Sequence, residues 1–164
     1  MRPTSDRLRE TLFDILGSGV RDCVFVDLFA GTGAVGIEAI SRGAGEVIFI
    51  EQSPEGNRLI RKNLEICRVT RGYRLIQQDV FKALRHLARL GASADIIFAD
   101  PPYRWELYCD ILEIIFQTGL GRLQTRVIIE HHRRAALPET GGGFSRTRQV
   151  TQGDHLLSFY SLAI

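Results

Sequence analysis

The stretch CVFVDLFAGTGAVGIEAISR, residues 23–42, gives the strongest indication of the fold. Its first seven residues are a short apolar run typical of a buried strand, and residues 34–42 have the apolar spacing of a helix. Gly31, Gly33 and Gly36 follow the strand with G-x-G-x-x-G spacing. In this context the glycines allow a tight turn and let a ligand approach the backbone closely. The stretch therefore predicts the first strand and helix of a ligand-binding α/β fold.

The alternation of apolar runs and helical patterns continues along the chain. After an opening helix within residues 1–17, we predict strands at 23–29, 46–51, 73–79, 94–100 and 126–131, with helices at 34–42, 54–67, 80–90 and 105–117. The closing segments FSRTRQVT and HLLSFYSLAI, joined by QGD, predict an antiparallel hairpin. Apolar strands separated by helices indicate a parallel sheet covered on both faces, as in a doubly wound α/β domain. Residues 1–164 contain no linker or repeat, so we predict a single domain.

Composition limits the possible environments and partners. The chain has no apolar run near the ~18 residues that cross a bilayer, which favours a cytoplasmic protein without membrane association. Its three cysteines, Cys23, Cys67 and Cys109, lack the spacing of a zinc site, so we expect no metal. All of the 21 basic residues except Lys62 and Lys82 are arginines. This bias suits contacts with RNA or DNA, although a GC-rich genome produces the same bias.

Four consecutive predicted strands end in or beside a carboxylate: Asp27, Glu51, Asp79 and Asp100. Ligands of open α/β sheets bind at the carboxyl ends of the strands. Helix capping is an alternative role for Asp79, but it does not explain Asp27, which lies inside an apolar strand. A carboxylate at Asp27 would repel the pyrophosphate of a dinucleotide. The pattern instead favours S-adenosylmethionine, a cation whose ribose needs an acidic partner.

Several segments together resemble one known family. They are RPTSDRLRETLFDIL, VDLFAGTGAVGIEAISRGAGEVIFIE, DPPY and the closing GDHLLSFY. In this combination the chain resembles the RsmD family of 16S rRNA guanine-N2 methyltransferases over essentially its whole length. The resemblance implies a Rossmann-like class I fold that depends on S-adenosylmethionine, with a seven-stranded, mostly parallel sheet and a C-terminal antiparallel hairpin. It also implies 16S rRNA or an assembling small ribosomal subunit as the partner, and we expect a monomer.

The resemblance also implies roles for individual residues. The loop after the first strand, with Asp27, Phe29, Ala30, Gly31 and Gly33, would hold the methionine part of the cofactor, Glu51 would bind the ribose, and Asp79 and Val80 would contact the adenine. Arg2, Thr4, Arg7 and Arg9 of the opening helix would lie towards the RNA. Family members usually begin with a further basic, glycine-rich segment that has no counterpart before Met1. Either the sequence is truncated there or RNA is engaged differently.

DPPY, residues 100–103, suggests the chemistry. The exocyclic amine of guanine is a weak nucleophile, and acceptors for its hydrogens help as positive charge develops on nitrogen. Asp100 and the carbonyl of Pro101 can accept these hydrogens, and proline fixes the backbone around that carbonyl. Pro102 and Tyr103 would contact the base, with the tyrosine ring stacking on it. A plain Pro-Pro turn with a core tyrosine is the alternative, but the glycine loop at the same sheet edge favours catalysis.

Two other functions remain open. DPPY also serves adenine amines, so a DNA adenine-N6 methyltransferase is possible, although 164 residues leave no room for a separate target-recognition domain. A non-catalytic RNA-binding module is the other alternative, and the intact DPPY counts against it. His131 and His132, beside Glu130, are interpreted as a polar strand end that can contact RNA.

Overall fold

The computed structural model describes residues 4–102 and 106–163, and for Thr4 only the backbone. The helices are α1 (Thr4–Leu16), α2 (Ala34–Ser41), α3 (Pro54–Ile66), α4 (Val80–Arg89) and α5 (Tyr108–Gln117), with a 3-10 turn at Gly17–Val20. The strands are β1 (Val24–Leu28), β2 (Glu46–Ile50), β3 (Tyr73–Ile76), β4 (Ala94–Ala99), β5 (Gly121–His132), β6 (Thr140–Gly141), β7 (Phe144–Gln152) and β8 (His155–Leu162). None of the helices in the described ranges is long and apolar enough to span a bilayer.

The strands form one sheet in the order β3-β2-β1-β4-β5-β8-β7-β6. The first five are parallel, and β8 runs antiparallel to both β5 and β7. The predicted α/β architecture with its closing hairpin is thus confirmed, and the two-residue β6 adds a short eighth strand. From β1 the sheet extends in one direction through β2 to β3, and β4 begins its extension in the other direction. The loops after β1 and β4 therefore flank a crevice at the carboxyl edge.

Alternation along each strand separates the core into two layers. Odd-numbered β1 residues such as Phe25 and even-numbered β4 residues such as Phe98 pack with α1, α2 and α3. Their neighbours Val26 and Ile97 pack with α4 and α5 on the opposite face. Asp27 therefore shares the α1 face with Phe25, because side chains two residues apart lie on the same side of a strand.

Gly36 is the point of closest contact between α2 and the sheet. A Cβ at this position would lie 2.3 Å from the fully buried ring of Phe49. We expect Gly36→Ala to lower the free energy of unfolding by ~1–3 kcal/mol, because overpacking outweighs the better helix propensity of alanine. Denaturant unfolding measures this change. Phe49→Leu provides the control: in the double variant the smaller side chain should recover part of the loss, and additive effects would contradict the steric explanation.

Several segments differ from the sequence prediction at their ends; β3, for example, ends at Ile76 and not at residue 79. α5 begins at Tyr108 and not at residue 105, and β5 begins at Gly121 and not at residue 126. The early part of β5 is polar, and a register shift separates the pair Ala94–Gly121 from the pair Ile96–Arg126. Residues 141–144, GGGF, form a tight hairpin between β6 and β7, with φ of 55° at Gly142 and 82° at Gly143.

Candidate active site

The loop after β1 has an unusual backbone. Phe29, Gly31 and Gly33 have φ of 56°, 60° and 82°, and Gly33 caps the N-terminus of α2. Left-handed conformations are costly for residues with a Cβ, which explains the two glycines and makes Phe29 a strained position. Nothing but a backbone oxygen at 3.9 Å lies near the place of a Cβ at Gly31, so a ligand can approach the main chain there.

Asp27 holds the start of α2, which follows this loop, through a hydrogen bond. Its side chain is buried, with 2% exposure, and its Oδ2 accepts a hydrogen bond from the Gly36 amide at 3.0 Å. Burial raises the pKa of Asp27 to about 8, the Gly36 bond opposes the shift, and the charges of Asp100 and Glu51 add to it. A carboxyl group with this pKa is largely protonated at neutral pH in the free protein, and a bound cation would favour its ionised form.

Glu51 connects the loop after β2 with the glycine loop. Its Oε1 accepts from the Gly31 amide at 2.8 Å and its Oε2 accepts from the Ser53 amide at 2.9 Å. Each carboxylate oxygen has two lone pairs, so both can accept a further hydrogen bond from a ligand hydroxyl. Glu51 is thus held in place before any ligand binds.

Asp79 and Val80 have structural roles of their own. Asp79 caps α4: its Oδ1 accepts from the amides of Phe81 and Lys82 at 3.0 and 3.1 Å. Val80 is only 7% exposed and packs in the core layer under α4 and α5. The capping alternative for Asp79 is therefore present, and contact of these residues with adenine stays a prediction.

The glycine-loop cavity lies above Asp27 and has a volume of about 460 Å³. Asp27, Phe29, Ala30 and Gly31 line one side of it, and α1 closes another side with residues that include Leu8 and Arg9. Asp100 and Glu130, which follow β4 and β5, complete its wall. Gly33, Glu51, Asp79 and Val80 are not among its lining residues. The structure thus brings six of the predicted residues to one cavity: Arg9, Asp27, Phe29, Ala30, Gly31 and Asp100.

The proline-turn cavity lies on the other side of Asp100 and has a volume of about 510 Å³. Pro101 and Pro102 line it together with Tyr108 of α5 and the basic residues His131, His132, Arg134 and His155. Both cavities fall in the size range of small-molecule sites. Asp100 lines both, so it stands where two ligands would meet.

His131 is a structural residue of this wall. It is 6% exposed, its Nδ1 lies 3.0 Å from the carbonyl oxygen of His132, and its Nε2 lies 2.7 Å from Oγ of Ser158. A carbonyl only accepts, so Nδ1 carries the proton and Nε2 accepts from the serine. Burial lowers the pKa of His131, which keeps the ring neutral. The interpretation as an RNA-contacting residue suits the more exposed His132 better.

The predicted RNA-binding residues are only partly described. Arg2 and Tyr103 lie outside the described residues, and so does the side chain of Thr4. Arg7 is exposed on α1. Arg9 lines the glycine-loop cavity and pairs with Asp6 at 3.3 Å.

Sequence reasoning missed Glu130 and Tyr108 as site residues. Glu130 directly follows the apolar run of β5, which is the position at which Asp100 follows β4, and this signal could have identified it. Tyr108 is 7% exposed, and burial followed by the negative charge of Asp100 raises its pKa. Tyr108 and Asp100 line the same cavity.

Comparisons with known proteins identify the family of this chain. The family model described as "Conserved hypothetical protein 95" matches residues 1–161. The chain is 31% identical over 160 residues to the ribosomal RNA small subunit methyltransferase D of Escherichia coli K12, covering 98% of this chain and 79% of the relative.

Solved structures show the same fold. A conserved hypothetical protein of Streptococcus pyogenes superposes with a TM-score of 0.85 at 24% identity, covering 94% of this chain and 95% of that one. The structure named as the SAM Dependent Methyltransferase from Agrobacterium tumefaciens superposes with a TM-score of 0.74 at 20% identity, covering 98% of this chain and 63% of that one. Because the family model matches residues 1–161 of the 164 in this chain, the chain belongs to the RsmD family expected from its sequence.

Proposed function

We propose that this protein transfers a methyl group from S-adenosylmethionine to the exocyclic N2 amine of a guanine in 16S rRNA. One observation carries the proposal: Asp100 lines both the glycine-loop cavity and the proline-turn cavity. A methyl donor in the first and a base in the second would meet at this carboxylate.

The glycine-loop cavity suits S-adenosylmethionine. Asp27 supplies negative charge for its cationic centres once it is ionised, and the open backbone at Gly31 allows close approach. Glu51 accepts hydrogen bonds on both oxygens from backbone amides and is fixed beside the loop, where it can accept the ribose hydroxyls. The fold shared with a protein named as a SAM-dependent methyltransferase supports the same cofactor.

The proline-turn cavity suits a base on a nucleic acid. Pro101, Pro102 and Tyr108 provide apolar surface for a planar ring. Arg134 provides positive charge for phosphates, and the half-buried His132 and the exposed His155 line the same cavity. Asp100 and the carbonyl of Pro101 would accept the two amino hydrogens. The E. coli relative is named for the small ribosomal subunit RNA, which supports the proposed substrate.

In this site the sulfonium of the bound cofactor supplies the electrophilic methyl carbon. The guanine amine would accept this methyl carbon and the cofactor would leave as the neutral thioether. The positive charge that develops on the nitrogen would be lost when its proton passes to water. Asp100 stabilises that charge, because it accepts a hydrogen bond that strengthens as the N–H becomes more acidic. Holding the two reactants in adjacent cavities supplies the alignment.

Glu51→Ala should weaken cofactor binding by roughly tenfold to hundredfold, because it removes both the ribose acceptor and the bond that fixes the Gly31 amide. Isothermal titration calorimetry with S-adenosylmethionine measures the affinity. Glu55→Ala, an exposed residue in the first turn of α3, is the matched control and should bind normally. Unchanged affinity in Glu51→Ala would exclude the proposed contact with ribose.

Transfer of a labelled methyl group tests the function itself. We expect label from S-adenosylmethionine to enter 16S rRNA, either free or in small subunits, when that RNA comes from a strain lacking this enzyme. Label in DNA adenine, with none in rRNA, would favour the DNA alternative. Tight RNA binding with no transfer and no cofactor binding would favour the non-catalytic module.

A further inference from the structure

We propose that Glu130 is a positioning residue whose protonated carboxyl group donates a hydrogen bond to Asp100, so that one Asp100 oxygen is held and the other faces the proline-turn cavity. The inference deepens the proposed function, and only its kinetic part rests on that function.

The sheet places the two carboxyl groups side by side. β4 and β5 are parallel neighbours, and the register pairs Phe98 with Ile128 and Ala99 with Ile129, so Asp100 and Glu130 come next. Phe98 and Ile128 both pack in the α1 layer of the core. Side chains two residues further along point to the same face, so Asp100 and Glu130 share it. Both line the glycine-loop cavity, so the two carboxyl groups lie next to each other at the same wall.

Two carboxyl groups form a hydrogen bond only if one of them carries a proton. Burial is the main cause that raises the pKa of Glu130, to about 9, and the hydrogen bond with Asp100 and its charge add to the shift. Burial of the carboxyl group also raises the pKa of Asp100, although the residue as a whole is exposed. The hydrogen bond with Glu130 and the nearby His155 oppose this rise in pKa. The proton therefore resides on Glu130, and Asp100 is the ionised partner.

The other charged groups around Asp100 and Glu130 do not change which of the two carries the proton. Asp27 on β1 and Asp6 on α1 line the same cavity and disfavour a second negative charge. Arg9 on α1 lines it too, but it is paired with Asp6 at 3.3 Å. His155 on β8 is exposed and acts on Asp100. A protonated Glu130 is also the state that leaves a single negative charge at the junction of the two cavities.

This arrangement has a consequence for catalysis. A carboxylate that turns freely presents either oxygen to the amine, whereas one held by a donor presents the same oxygen in every encounter. Such pre-organisation lowers the cost of alignment in the transition state. Glutamine reproduces the donor through its amide N–H, and leucine has a similar size but no donor.

Three variants of the full chain, assayed by methyl transfer to small-subunit rRNA, test the inference. Glu130→Leu should lower kcat by roughly tenfold to hundredfold with little change in KM for RNA, as expected for a lost hydrogen bond to a charged group. Glu130→Gln should recover most of that loss. The wild-type rate should fall as pH rises through about 9, where Glu130 loses its proton, and Glu130→Gln should lack this alkaline decline. Asp110→Ala, exposed on α5, is the control variant.

A Glu130→Gln variant as slow as Glu130→Leu would overturn the proposal, because it would mean that a carboxylate is required. Titration of side-chain carboxyl carbons by ¹³C NMR in the cofactor-free protein gives a readout that is independent of catalysis. We expect a Glu130 resonance titrating near pH 9 in the wild type and at lower pH in Asp100→Asn. A Glu130 that titrates in the ordinary range would also overturn the proposal. An NMR titration as expected, without any methyl transfer by the wild type, would contradict the proposed function alone.

Discussion

Replacing Asp100 by alanine is expected to lower kcat for methyl transfer by ~10²–10³-fold while S-adenosylmethionine affinity stays within a few-fold. The first effect follows from loss of an acceptor aimed at the nitrogen on which charge develops, a loss that costs ~3–4 kcal/mol in comparable sites. The second follows from the position of Asp100 at the far edge of the glycine-loop cavity, while Asp27, Gly31 and Glu51 remain. Single-turnover kinetics and calorimetry measure the two quantities.

The fold should tolerate this substitution. Asp100 is exposed, and its raised pKa indicates that its charge is unfavourable in the folded state, so Asp100→Ala should not lower the melting temperature. Asp100→Asn keeps one oxygen acceptor without the charge and should lie between alanine and wild type in kcat. If turnover and cofactor affinity are lost together, Asp100 is a cofactor ligand or a structural residue and not the acceptor for the amine.

Asp27→Asn is expected to stabilise the free protein at neutral pH and to weaken cofactor binding. The pKa of Asp27 is about 8 in the folded state against 3.8 for an ordinary aspartate. A raised carboxyl pKa means that the folded state binds the proton more tightly, so wild-type stability falls as pH rises from about 4 to about 8. Asparagine has no such dependence and still offers an oxygen to the Gly36 amide. The expected gain at pH 7 is on the order of 3 kcal/mol.

Denaturant unfolding of both proteins between pH 5 and 8 measures this gain. The difference between them isolates Asp27, because Glu130 contributes to the pH dependence of each. Equal stability at pH 7, with parallel pH profiles, would contradict a protonated Asp27.

The same group should couple cofactor binding to pH. Ionised Asp27 attracts the cationic cofactor, and ionisation below pH 8 requires release of a proton. We expect the wild-type affinity to rise by up to about tenfold per pH unit between pH 6 and 7.5, with proton release visible as a dependence of the binding enthalpy on the buffer. In Asp27→Asn the affinity should be lower and flat over the same range.

The sequence predicted the elements that depend on local pattern. The runs around Phe25, Ile48 and Ile97 are apolar over whole strands because both faces of the sheet are covered, and the helices between them have one apolar face. The start of β5 was missed for a physical reason. Its first residues, GRLQT, have no strand pattern, and Thr125 holds the irregular register by donating to the Ala94 carbonyl at 2.6 Å.

The candidate site was predictable where the chemistry is local. The glycine loop, Asp27 and the Asp100–Pro102 turn each follow one strand directly and needed no knowledge of strand order. Glu130 was not assigned a role because its relation to Asp100 depends on the pairing of β4 with β5 across 30 positions of sequence. The role of Glu51 in fixing backbone amides likewise follows from the folded loops and not from the spacing of residues, whereas capping by Asp79 was already an alternative in the sequence.

Nucleoside mass spectrometry of 16S rRNA shows directly whether this protein methylates guanine N2. Small subunits from a strain lacking this enzyme are incubated with S-adenosylmethionine and either the wild-type protein or Asp100→Ala, and their RNA is digested to nucleosides. We predict that N2-methylguanosine increases with the wild type and not with the variant. An unchanged level of N2-methylguanosine with active, cofactor-binding wild-type protein, or a methyl group on another base, would contradict guanine N2 as the target.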